Sequence, residues 1–406
     1  MRTLFFAAAL LLAPVAARAG AYAIPNENAR DLGLSQATVA AQTGPEATYQ
    51  NIAALAGQQG FAVSASLELL YNRTTWSDPA LGSATLKPKA NFPPAISAAY
   101  GDKLSNGMGV GAGIAFLVPG GGSLIWPTGW AGSGRIQSVE QKVYLLQGGA
   151  AIQPLPFIKL GASLLYYMVT ESLSQQLNFI NSTGLASLGL SGQRATFGLS
   201  GEFSVPDLPL TFGIDYRHQA PLTLNGHAHF DNVPPSFAGA LQDQGATENL
   251  TIPNFLFLGA AYDVMPDLKL MGTFTLERWV GYTSDTYVGD KGLVITVPRN
   301  YRNAQVYRIG AEYSRVPFLP ALTLRLGGQR SVSDQPSDTV SPSLTDGNSW
   351  VVSAGVGYEI IKGLRADLGY QHAFFDTVTA SGVEAFPGSY KTVADLVSLG
   401  MTWRPQ

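Results

Sequence analysis

The chain has 406 residues, no cysteine, 13% charged residues and a formal charge of −3. The missing thiols exclude a disulfide framework, a cysteine nucleophile and a zinc–thiolate site, and the scattered charge excludes a nucleic-acid surface. Soluble domains carry about 25% charged residues, so a composition this poor in charge requires contact with a non-aqueous medium.

Arg2, the apolar run Leu4–Leu12 and Ala17-Arg18-Ala19 before Gly20 read as a secretory signal peptide over residues 1–19. That run is too short for a membrane helix, and no later stretch is long and apolar enough to span as one. Residues 20–58 lack alternation and are rich in Ala, Gln, Asn and Thr. Such a segment suits the polar lumen of a barrel, as a hatch, or a loose periplasmic tail.

From residue 59 to 406 period-two alternation recurs. In Trp350–Ile360, Trp350, Val352, Val356, Tyr358 and Ile360 alternate with Val351, Ser353, Gly355, Gly357 and Glu359. Successive strand side chains point to opposite faces, so one face meets oil and the other a wet interior. The same pattern predicts strands near 60–72, 94–101, 107–118, 134–152, 158–178, 190–204, 209–217, 250–263, 268–278, 304–315, 321–330, 349–361, 363–373 and 392–403.

The connections alternate too. Short turns fall at Asp102–Asn106, Gln153–Phe157, Pro206–Pro209, Met265–Asp267, Val316–Pro320 and Lys362, while the others are long, the longest from His218 to Asn249. Short turns on one rim, long loops on the other and an even strand number predict an all-β, 14-stranded antiparallel transmembrane β-barrel of a Gram-negative outer membrane. With no spanning helix, only a closed barrel satisfies every backbone polar group in lipid.

Fourteen strands give a backbone diameter of roughly 28 Å and, inside the side chains, an opening of roughly 15 Å. A pore of that width calls for a plug. Strand three carries Gly107, Gly109, Gly111 and Gly113 at alternate positions, which suit either a kink in the wall or a smooth surface for a backbone packed inside it; the two are compatible. Apolar residues crowd two long loops: Leu173, Leu177, Phe179, Ile180, Leu185 and Leu188 in one, Phe230, Val233, Phe237, Ala240 and Leu241 in the other. They read as a ligand-capturing surface or a self-covering lid. In the second loop, Pro234-Pro235-Ser236 is a candidate helix start.

In order along the chain, several motifs resemble one family. Leu32-Gly33 and Asn51-Ile52-Ala53-Ala54-Leu55 are followed by Gly129-Trp130-Ala131-Gly132 and by Asp215-Tyr216-Arg217 with Leu224-Asn225-Gly226. Ile252-Pro253, Glu277-Arg278-Trp279, Tyr301-Arg302-Asn303 and Asp334-Gln335-Pro336 complete the series. Together they resemble the FadL/TodX outer-membrane transporters of long-chain fatty acids and other hydrophobic compounds. The resemblance implies a hatch over residues 20–58, with Leu32, Gly33, Asn51, Ile52 and Ala53 in it and Gly109, Gly111 and Gly113 at the strand-three gate. It implies ligand capture by loops, hatch rearrangement and lateral exit through the wall.

The resemblance also places a cation for an acid headgroup at Arg302, next to Tyr301, with Leu173, Leu177, Phe179, Ile180, Phe230, Phe237 and Leu241 around the ligand. The chain departs from the family pattern at Ile52 (proline in the family), at Tyr301 and Asn303, and at Glu171, which stands near a second basic position. The expected partners are a hydrophobic small molecule and outer-membrane lipid, with no cofactor, no metal and a monomeric state.

Other classes rest on less. A general porin would line its lumen with opposed charges, and Arg194, Arg217, Arg308 and Arg325 do face the side of Glu202, Glu277, Glu312 and Glu359. The same charges could pair along the wall around a hatch. An outer-membrane lipid-acting enzyme would need His372, on the lipid side, to find a serine, and no local signature supplies one. His227 and His229 lack a third metal ligand.

Overall fold

Sequence neighbours on the wall strands face opposite media. Ile309 and Leu326 are 70% and 66% exposed on the outer face, whereas the adjacent Arg308 and Arg325 are 5% and 2% exposed inside. The computed structural model describes residues 28–333, 335–382 and 385–405. The expected leader, the start of the N-terminal segment to residue 27, and Asp334 lie outside them.

The wall strands are β1 (Gly60–Asp78), β2 (Pro94–Lys103), β3 (Gly109–Ile125), β4 (Ser138–Leu155), β5 (Ile158–Asn178), β6 (Thr183–Ser204) and β7 (Leu210–Arg217). They continue as β8 (Phe255–Met265), β9 (Leu268–Glu277), β10 (Ala304–Tyr313), β11 (Leu322–Val332), β12 (Ser349–Ile361), β13 (Leu364–Phe375) and β14 (Ser389–Trp403). Each pairs antiparallel with the next, and β14 closes on β1 from Val63↔Trp403 to Ser77↔Ser389, giving a closed 14-strand barrel. Trp403, in the sequence order Trp403-Arg404-Pro405-Gln406, ends the closing strand.

The long rim is more ordered than alternation near the wall alone suggests. The 218–249 connection forms strands Ala220–Asp231 and Gln244–Ile252, which pair with each other, and the first also pairs with the upper part of β6. Leu222 and Leu224 are buried and Thr223 is exposed, a period-two pattern that continues the sheet. The expected helix at Pro234-Pro235-Ser236 is instead a pair of turns, with Phe237 N–H donating to the Pro234 carbonyl at 2.9 Å and Ala240 N–H to that of Phe237 at 3.0 Å. Gln244–Ile252 also pairs with Ser284–Gly289, which pairs with Val294–Pro298.

Residues 28–57, the plug segment, pack against the inner face of the wall. Asn28 accepts from the Asp31 N–H and caps the short helix Ala29–Leu32; Ala47–Gln50 forms a second. Asn51 caps the 3₁₀ turn Ile52–Gly57 by accepting from the Ala53 N–H at 3.2 Å, and donates to the Val39 and Gly201 carbonyls at 2.8 and 3.2 Å. Leu32, Leu34, Ile52 and Leu55 are fully buried. The wall meets this segment with small residues: a Cβ on Gly33 would lie 2.8 Å from the Gly355 Cα, and one on Gly111 would collide with the Leu55 carbonyl.

Charge pairs tie the plug to the wall. Arg30 donates to both Glu312 oxygens at 3.0 Å, and Arg325 joins Glu312 and Asp367 at 2.7 Å each. Lys159–Glu202 and Arg217–Asp215 pair likewise, whereas Arg194 and Glu359 are exposed. The lumenal charges therefore pair along the wall and around the plug, not as the opposed ladders of an open pore.

Candidate functional site

Strands that run from the long rim toward the plug carry their lumenal residues at alternate positions, and cavities lie at successive levels. The outer cavity, about 180 Å³, is lined by Leu173, Leu188, Phe230, Tyr287, Val297, Phe386 and Arg299, among others. The Arg299 guanidinium is buried and donates to Asp285 at 2.6–2.7 Å and to the Ser343 hydroxyl at 3.0 Å; Tyr282 donates to the same carboxylate. Its charge is thus balanced within the site.

Two positions below Leu173 and Ala246, the buried acids Glu171 and Glu248 form a polar layer. Glu171 accepts from Gln141 at 2.9 Å and Tyr287 at 3.0 Å. Burial, then the neighbouring carboxylates of Glu171 and Asp285, pushes Glu248 above the usual carboxylate range.

The inner cavity, about 80 Å³, lies beneath. Gln36, Tyr49 and Gln50 of the plug form one side, and Val143, Tyr167, Leu250, Phe257 and Trp279 the other, with Arg217, Arg308 and Glu277 at its edge. Arg217 is fixed by Asp215 at 3.0 Å, and Arg308 by Gln329 at 3.0 Å and by Thr275. Ser35 and Gln36 hold left-handed backbone, φ 47° and 57°, a conformation that costs non-glycine residues about 1–2 kcal/mol each.

Beside the plug the wall is interrupted. The β2–β3 register runs from Lys103↔Gly109 to Ile96↔Phe116 and ends there. On the other edge β3 slips by one residue between Leu117 and Gly120, where Pro119 has no N–H to give. The chain before β2 leans on β1, Glu68 N–H donating to the Pro93 carbonyl and Leu70 N–H to that of Asn91. A small side cavity lined by Glu46, Tyr49, Ser64, Ala95, Ile96 and Leu117 opens at this point.

The glycine run lies lower. Gly109, Gly111 and Gly113 pair regularly, and Cβ atoms on them would meet the carbonyls of Ala56 and Leu55 and the Thr48 hydroxyl. They form the smooth surface under the plug, and the irregularity in β3 sits above them at Pro119. Ile52, in place of the family proline, packs against Gly149 and Gly161.

Of the loop residues singled out by sequence, Leu173 and Phe230 line the outer cavity. The Phe179 and Phe237 rings meet at a tilt with centroids 5.1 Å apart, Ile180 is 96% exposed, and Leu177 and Leu241 are half-buried outside the cavity linings. Tyr301 is buried against Tyr282 at 5.0 Å. Arg302 is exposed and lines none of the described cavities. Three residues away, Arg299 lines the outer cavity.

Sequence reading also missed the cap. Trp126 and Trp130 stack at 4.3 Å, Trp76 meets Trp130 edge-on at 5.4 Å, and all are buried with Phe386 against them. Their indole N–H groups donate to the carbonyls of Pro387, Pro342 and Ile136, tying three connections over the cavity. Gly132 lies under the Trp130 ring, so the Gly129–Gly132 motif serves this cap. His229 is braced between Asp231 and Asp243, and His372 pairs with Asp395 at 2.7 Å on the outer face. Among the described residues no His, Cys, Asp or Glu group is arranged for a metal.

A family model described as outer membrane protein transport protein (OMPP1/FadL/TodX) matches residues 10–404. A Pseudomonas aeruginosa FadL homologue is similar in structure, with a TM-score of 0.84 and 17% identity over 95% of this chain and 99% of that one. The P. putida toluene transporter TodX gives 0.71 and 16% over 91% and 97%, and the CymD monoaromatic hydrocarbon channel 0.72 and 15% over 94% and 98%. None of the curated proteins matches.

Proposed function

This chain belongs to the outer membrane protein transport family (OMPP1/FadL/TodX), whose members are transport channels rather than enzymes, and from that premise we propose how it moves its ligand. Membership sets the protein in the Gram-negative outer membrane as a channel for hydrophobic compounds. The ligand enters the outer cavity under the tryptophan cap, passes the Glu171–Glu248 layer, and rests in the inner cavity against the plug. It leaves sideways at the β3 bulge into the outer leaflet.

The observation that carries this reading is the cavity series, which leads from loops to plug and then to an interruption in the wall. An apolar molecule gains about 25 cal/mol per Å² on leaving water, and a sideways exit spares it from re-entering water.

Of the cations that line the two cavities, Arg299 pairs with Asp285 and Arg217 with Asp215, Arg308 is held by Gln329 and Thr275, Arg135 is exposed, and a buried acid layer lies between the cavities. These features favour a neutral apolar ligand of the monoaromatic kind carried by the related hydrocarbon channels. The second reading is a long-chain fatty acid whose carboxylate takes Arg299 from Asp285, with the apolar chain along Leu173, Leu188 and Phe230.

Deleting Pro119 would restore a regular β3–β4 ladder and close the side exit. Cells carrying this variant should lose uptake of labelled toluene and of labelled oleate while the purified protein still binds whichever is the ligand. Wild-type uptake of both compounds by the deletion variant would remove the lateral route.

A further inference from the structure

Among the described residues, Tyr49 alone lines both the inner cavity and the side cavity. It belongs to the plug helix Ala47–Gln50 and lines the inner cavity together with Phe257 and Tyr167 and the side cavity together with Ala95 and Leu117. Beyond it the side cavity reaches Ile96, whose side chain is 52% exposed on the lipid face. The β3 bulge bridges the same two spaces, with Leu117 in the side cavity and Pro119 and Gly120 in the inner one.

Arg217 holds Tyr49 in place. Its guanidinium lies 3.7 Å from the Tyr49 ring centroid and 4.8 Å from that of Phe257, and donates to the Tyr49 carbonyl at 2.7 Å. Asp215 fixes the guanidinium from behind at 3.0 Å. A cation on a desolvated aromatic face is attracted to it, so the ring is clamped by its own backbone and its own π-face.

We infer that Tyr49 is the inner gate of the lateral route and Arg217 its latch: rotation of the ring off Arg217 joins the inner cavity to the side cavity and opens a continuous path past Ala95, Leu117 and Ile96 to the lipid. An apolar ligand in the inner cavity competes with the guanidinium for the faces of Tyr49 and Phe257, so occupancy itself favours release of the ring. The route then opens without removal of the plug. This inference rests on the lateral-exit reading.

The test uses the full chain, with labelled toluene as the hydrophobic probe and ion conductance in planar bilayers as the control for plug loss. Tyr49→Ala and the milder Tyr49→Leu should raise the uptake rate several-fold, Tyr49→Trp should lower it, and Arg217→Lys should fall between wild type and Tyr49→Leu. Conductance should stay at the wild-type level throughout. If Tyr49→Leu and Tyr49→Trp both match wild type while deletion of Pro119 still abolishes uptake, Tyr49 is not the gate although the lateral route stands. If uptake also survives the Pro119 deletion, the underlying reading fails. Faster uptake accompanied by a matching rise in conductance in both Tyr49→Ala and Tyr49→Leu would likewise overturn the gate, since it would reflect a loosened plug.

Discussion

Arg30 of the plug and Glu312 of β10 meet through two hydrogen bonds of 3.0 Å, one to each carboxylate oxygen. Arg325 reaches the same carboxylate at 2.7 Å and passes the chain of charges to Asp367. The plug is therefore fixed to the wall by a buried, bidentate pair within a larger network, and not by apolar packing alone.

Removing one partner of such a pair leaves a buried charge uncompensated, at about 3–5 kcal/mol. Glu312→Gln should loosen the plug against an intact wall. Single-channel recording should show frequent openings absent from wild type, while heat-modifiable migration on gels persists. A silent, wild-type trace would mean that packing alone holds the plug.

Gly111 provides a steric counterpart. Its missing Cβ is where the Leu55 carbonyl lies, and Gly111→Val would displace the Ile52–Gly57 turn while suiting the strand itself. The variant should fold as a barrel and show raised permeability to small hydrophilic solutes. Unchanged permeability would show that the turn can shift without opening the lumen.

The acid layer predicts a pH effect. The Glu248 carboxyl is raised above its ordinary value of 4.5, first by burial and then by Glu171. Above pH 4.5 the unfolded chain releases this proton while the folded one keeps it, so the folded state binds more protons and stability falls as pH rises. Glu248→Gln removes that loss. Its melting temperature should match wild type near pH 4 and exceed it increasingly toward pH 9; a gap that is constant with pH would contradict the raised value.

Much of the wall is legible in the sequence because lipid and plug impose opposite demands on adjacent residues, as at Arg325 and Leu326. The turns are legible for the same reason that they are short. What sits above the membrane is less so, because there both faces of a strand can be half-buried: Leu222 and Leu224 alternate, yet the Pro234-Pro235 pair invites a helix that one turn of chain does not support. The β3 irregularity was signalled by Pro119, a residue that cannot join a ladder, more directly than by the glycines below it. Arg299 rather than Arg302 lines the outer cavity because the Thr283 carbonyl draws in the Arg299 and Asn300 N–H groups, at 2.8 and 3.0 Å, and Asp285 then receives the Arg299 side chain. Pairing across a hairpin of that kind has no local spacing to betray it.

If the N-terminal segment closes the lumen, traffic is confined to a lateral path beside it. Conductance in planar bilayers and uptake of labelled toluene, measured side by side for the full chain and for one lacking residues 20–58 after its leader, test it most directly. Removal of the segment should leave a folded barrel with large ion conductance and reduced toluene uptake, against low conductance and efficient uptake for the full chain. Equal conductance and equal uptake by the two proteins would contradict it.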